Sequence, residues 1–173
     1  MNNTKRRNIL IVVGTLSSIA GIWLTISGMQ DVIEIGRRNA VTVNEIVEDL
    51  QAELPIREET DKIILTQTGL EVRDDTVVFT CTMEPHAPYK ESILAKRHEL
   101  KELTQTGIIN SIVKGYENNL LTHTACKEGM VFLYEYFLPD GETYMKIRIT
   151  PEAYQEKLRQ APRSSLVGPS GLG

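Results

Sequence analysis

The chain reads as an α+β protein: an N-terminal transmembrane helix followed by a small antiparallel sheet packed with one or two helices. Three observations carry this. No residue from Asn8 to Gln30 is charged, apolar residues from Met130 to Thr150 alternate about a tight turn, and from Glu91 to about Thr124 they recur at a helical interval.

The first of these, NILIVVGTLSSIAGIWLTISG over Asn8 to Gly28, is long enough as a helix, at about 1.5 Å per residue, to cover the roughly 30 Å of a bilayer core. Lys5, Arg6 and Arg7 stand directly before it, and Asp31 and Glu34 follow it. The positive-inside bias then keeps residues 1–7 in the cytoplasm and sends the remaining chain across. A cleaved signal peptide is the rival, with small residues at Ser18/Ala20 or Thr25/Ser27. Cutting after Ala20 leaves Ile22, Trp23 and Leu24 near the new N-terminus, and cutting after Ser27 needs a longer apolar run than most signal peptides carry. A retained anchor at 8–28 is therefore preferred, with a buried soluble helix as the last alternative.

Along this segment Gly14, Gly21 and Gly28 recur every seven residues, with Ser17 and Thr25 between them. In lipid, close backbone approach along small residues is one of the few sources of packing energy between helices. Gly14, Ser17, Gly21, Thr25 and Gly28 are thus candidate helix-packing residues, against the plainer explanation that glycine is common in membrane helices. The partners implied are membrane lipid and other transmembrane proteins, or a second copy.

From 29 to 54, Val32, Ile35, Val43, Ile46, Val47, Leu50 and Leu54 recur near helical spacing until Pro55. This is an amphipathic linker or stalk helix, its stripe lying on its own domain or on a partner's copy. The domain proper spans 55–154. Residues 62–68 are β-rich, and TVVFTCTM puts Val77, Phe79, Cys81 and Met83 on one face. In the long helical stretch, TQTG at 104–107 is the expected break. The hairpin pairs MVFLYEYFL with TYMKIRIT about Pro139-Asp140-Gly141. After it, 155–173 reads as a short helix giving way to a flexible Pro/Gly/Ser tail.

Chemistry-bearing patterns are sparse. A net charge of −4 argues against nucleic-acid binding. GxSxG, Walker, GxGxxG and HExxH motifs are absent, which points away from an enzyme, and no cofactor is implied. His98 lies in the solvated run KRHELKE, and His86 in the loop MEPHAPYK is read as a rigid loop residue. Phe132, Tyr134 and Tyr136 form an aromatic row that could face a ligand, though its plainer reading is core packing.

Cys81 and Cys126 are the two cysteines, and a disulfide between them would close a loop of about 46 residues, restricting the unfolded chain by roughly 4 kcal/mol. A metal held by Cys81, His86, His123 and Cys126 is the weaker alternative, because their spacing fits no usual finger pattern.

ELPIREETDKI is similar to an LPxxxDxxT element, and EGMVFLYEYFLPDGETYMKIRITPEAY to a G-x4-YxY-x3-DG-x8-TPxxC hairpin. Together they resemble a functionally unassigned group of small membrane-anchored or exported bacterial envelope proteins. Here Glu59 replaces the Asp, Lys62 the Thr and Tyr154 the final Cys, and residues 108–122 lack the cysteine that the group carries on its long helix. The resemblance implies an envelope address and a bridge moved to Cys81 and Cys126. The expectation is a non-catalytic inner-membrane protein with a periplasmic interaction domain, an accessory subunit of an envelope complex. The alternative is an exported soluble binding or chaperone-like domain, released by signal cleavage.

Overall fold

The computed structural model describes residues 10–17 and 41–161. Residues 10–17 are helical (α1). Helix α2 (Val43–Gln51) begins at Thr42, whose hydroxyl accepts from the Glu45 N–H while the Glu45 carboxylate accepts from the Thr42 N–H at 2.8 Å. This reciprocal cap satisfies two donors that a helix start leaves open, and its hydrogen bonds hold the Glu45 carboxyl below its ordinary pKa. The apolar stripe of α2, Val43, Ile46, Val47 and Leu50, is buried on strand β2. Where α2 is described, the stripe lies on its own domain.

Strands β1 (Ile56–Glu59), β2 (Ile63–Arg73), β3 (Thr76–Pro85), β4 (Val131–Phe137) and β5 (Thr143–Ile149) form one sheet in chain order. Neighbours pair antiparallel except β3 and β4, which are parallel. The all-antiparallel expectation is corrected: parallel strands need a crossover of a dozen or more residues, and the long helical stretch supplies it. That stretch is three helices, α3 (Lys90–Ala95), α4 (Arg97–Gly115) and α5 (Leu120–Lys127). With α6 (Pro151–Gln160), the described residues hold six helices rather than one or two. Asp74 makes the β2–β3 turn at φ 52°, a left-handed position that Asp tolerates. In the β4–β5 turn Gly141 sits at φ 85° and the Asp140 carboxylate accepts from the Glu142 N–H at 2.9 Å.

One sheet face carries the core. Leu65, Phe79, Met83, Phe132, Tyr134, Ile147 and Ile149 are buried there, with Phe79 stacked on Tyr134 at 4.5 Å. At alternate positions Lys146 and Arg148 are exposed and Lys146 pairs with Glu135.

Among the described residues no helix is long and apolar enough to cross a membrane. The proposed 8–28 span is described only over 10–17, where the chain is buried against the domain, so the transmembrane helix is not supported there. Lys5, Arg6, Arg7, Gly21, Thr25, Gly28, residues 29–40 and the end of the tail lie outside the described residues.

Candidate functional site: a groove over the central strands

Helix α2 covers β2 and helix α4 covers β5, while α5 contacts both helices. Between α2 and α4 the central strands present a row of buried side chains, Phe79 and Cys81 from β3 and Tyr134 and Tyr136 from β4. Segment α1 is buried against this part of the core. Val12 and Leu16 are 3% and 0% exposed, and Thr15 and Ser17 are buried beside them. Each buried aliphatic side chain contributes about 1.5–3 kcal/mol.

Two contacts fix the seat. Tyr136 is fully buried and needs an acceptor, and its hydroxyl donates to the Leu16 carbonyl at 2.7 Å. Burial pushes the Tyr136 pKa far up, so the phenol stays a neutral donor. On the other side α1 touches α4 at Gly107. A Cβ there would stand 2.2 Å from the Ser17 hydroxyl oxygen and 2.9 Å from its Cβ, so only glycine admits this approach. Helix α4 accordingly runs unbroken through TQTG, and Gly107 is a contact rather than a break.

Segment α1 brings no unmet polar group into the groove with its two hydroxyl side chains. Thr15 donates to the Ile11 carbonyl at 3.0 Å and Ser17 to the Val13 carbonyl at 2.7 Å. Outward, Leu10 is 66% exposed and Gly14 has nothing near its missing Cβ. The small-residue seam is therefore split where it is described, Gly14 facing out and Ser17 facing α4.

The bridge expected between Cys81 and Cys126 is not formed, and both are free buried thiols. Burial pushes Cys126 up to about 12 and Cys81 higher, which suppresses the thiolates that disulfide exchange requires. At the position where the resembled group carries its last cysteine, Tyr154 is buried, edge-on to Phe132 at 5.6 Å, and donates to the Met130 carbonyl at 2.9 Å.

His86 uses Nε2–H to donate to the Thr60 carbonyl at 3.1 Å, and its backbone N–H donates to the Lys62 carbonyl at 2.9 Å. Beside it Lys62 Nζ lies 3.7 Å above the Tyr89 ring and 2.7 Å from the Asp61 carboxylate. These contacts tie the MEPHAPYK loop to the β1–β2 connection. His123 Nδ1–H donates to the Tyr116 carbonyl at 2.9 Å, and exposed His98 lies 3.4 Å from Glu102. Among the described residues no three His, Cys, Asp or Glu side chains gather as a metal site. A crevice of about 700 Å³ between α4, α5 and α6 is walled in part by Cys126, whose thiol burial keeps protonated.

Sequence reasoning placed Tyr136 in an aromatic row without seeing its hydrogen bond, and took Gly107 for part of a break. The signal for Gly107 was present, because a glycine inside a helical pattern marks close approach as well as a break. Nothing in the local pattern marks Tyr136 as a donor to a segment 120 positions earlier.

No protein-family model and no curated relative matches the chain. Three solved structures are similar in fold. A protein described as secreted, from Pseudomonas aeruginosa, is 11% identical with a TM-score of 0.47 over 65% of this chain and 88% of its own. The pilotin EpsS of the Vibrio vulnificus type 2 secretion system is 13% identical with a TM-score of 0.43, over 65% and 88%. The type II secretion system pilotin AspS from Vibrio cholerae is 15% identical with a TM-score of 0.44, over 64% and 87%. At such scores the likeness carries no functional weight, and what the groove does follows from its own residues.

Proposed function

We propose that the chain is an exported, non-catalytic protein-binding domain of a bacterial envelope, whose groove over β3 and β4 receives an apolar helical segment. One observation carries this: α1 is seated with Leu16 wholly buried, its carbonyl held by Tyr136 and Ser17 against Gly107. The groove defines its ligand chemically. It takes a helix with aliphatic side chains on one face, a small residue over Gly107, and a carbonyl within reach of the Tyr136 hydroxyl. Recognition of this kind reads an apolar face, as helix-in-groove binding does generally.

The uncharged run from Asn8 to Gln30 behind Lys5, Arg6 and Arg7 supports export in either form, as a retained inner-membrane anchor or as a leader. The non-catalytic reading is supported by Cys81 and Cys126, which burial holds protonated, and by the rings of His86 and His123, which donate to backbone carbonyls.

The test uses the full chain carrying Leu16→Asp, which buries a charge and expels α1, and a labelled peptide of residues 5–18, KRRNILIVVGTLSS. The expected result is binding in trans to Leu16→Asp, lost in Leu16→Asp/Gly107→Val. A folded Leu16→Asp protein that ignores the peptide would refute the groove reading.

A further inference from the structure

We infer that α1 is a gate set by the membrane: its segment is either docked in the groove or inserted in lipid, and insertion is what opens the groove. This rests on the groove reading and adds its regulation.

The two addresses exclude one another. Residues 10–17 occupy the first part of the only span-length uncharged run, Asn8 to Gln30. With them docked, the uncharged residues that remain, 18–30, reach roughly 20 Å as a helix, short of the roughly 30 Å bilayer core. With them inserted behind the cytoplasmic anchors Lys5, Arg6 and Arg7, they stand at the membrane side opposite the domain and cannot touch Tyr136.

The segment is chemically fit for both places. A soluble helix that docks for good shows a polar outer face, but α1 turns Leu10, 66% exposed, and Gly14 outward. Its inward hydroxyls bond the Ile11 and Val13 carbonyls within the helix, so neither Thr15 nor Ser17 depends on the domain to satisfy its donor in hydrocarbon. The domain, by contrast, is incomplete without an occupant. When α1 leaves, the Tyr136 hydroxyl loses its acceptor and the glycine surface at Gly107 is uncovered. A domain anchored in the membrane is thus open to a partner helix, and one still in solution is closed by its own chain.

The experiment loosens the seat and follows insertion, with Trp23, the single tryptophan, as reporter. The full chain is mixed with phosphatidylcholine and phosphatidylglycerol vesicles whose acyl chains carry bromine. The parent should be quenched and should sediment with the vesicles, and Gly107→Val and Tyr136→Phe, which loosen the docked form, should be quenched at lower lipid concentration. Absence of quenching in the parent, or quenching of all three proteins at the same lipid concentration, would overturn the gate. Peptide binding by Leu16→Asp is read separately, so the groove can survive the loss of the gate.

Discussion

Helices α1 and α2 both lay an apolar face on the same side of the sheet, yet they are finished differently. Helix α2 is closed by a capping box and shows Asn44, Glu45, Glu48 and Asp49 to solvent over its buried Val43, Ile46, Val47 and Leu50. Segment α1 shows solvent Leu10 and Gly14, and spends its hydroxyls on its own carbonyls. One is a permanent part of the domain. The other satisfies the groove without satisfying its own outer surface, and that mismatch is what favours the proposed binding role of the groove over a filled core.

Charge introduced under each helix should separate them most strongly. Val47→Asp places an unpaired carboxylate under α2 and is expected to cost about 4 kcal/mol or more, abolishing the cooperative thermal transition seen by circular dichroism. Leu16→Asp should instead release α1 and leave that transition in place. Loss of the fold in both variants would mean that α1 is as integral as α2.

Alkaline pH should act on the core that both helices cover, through its buried thiols and phenols. Cys81, Cys126, Tyr134, Tyr136 and Tyr144 all have pKa values raised by burial, Cys126 and Tyr144 to about 12. The folded protein keeps these protons while the unfolded chain begins to lose them near the ordinary thiol value of about 8.5. Stability is therefore fully present below that pH and falls as pH rises toward 12. Urea midpoints that stay constant from pH 8 to pH 11 would contradict this burial.

Smaller effects sharpen the contrast. Tyr136→Phe removes the donor to Leu16 and should weaken α1 docking by about 1 kcal/mol, measured as faster amide exchange in 10–17 alone. Thr42→Ala breaks the α2 cap and should lower global stability by about 1 kcal/mol in urea denaturation. Smallest of all, Gly14→Ala meets open space and gains helix propensity, so it should slow exchange in α1 slightly.

How much of this was legible follows from where each signal lies. The β4–β5 hairpin was readable because alternation and the Pro139-Asp140-Gly141 turn are local, and α2 because Val43, Ile46, Val47 and Leu50 keep helical spacing within one short stretch. Strand β1, IREE, is short, polar and an edge strand, so nothing in it announces pairing with β2. The parallel pairing of Thr76 with Val131 depends on a crossover that no short window contains. The apolar run was read first as a membrane anchor and only last as a buried helix, because hydropathy cannot distinguish a bilayer from a protein groove. What distinguishes them is Gly107 and Tyr136, both remote in sequence from Ser17 and Leu16.

Hydrogen exchange on the full chain in detergent-free buffer tests the seat of α1 most directly. Amides of residues 12–17 should be protected in the parent and lose that protection in Gly107→Val, while the amides of β3, β4 and α2 keep theirs. Free exchange at 12–17 in the parent, or equal protection in Gly107→Val, would contradict the groove.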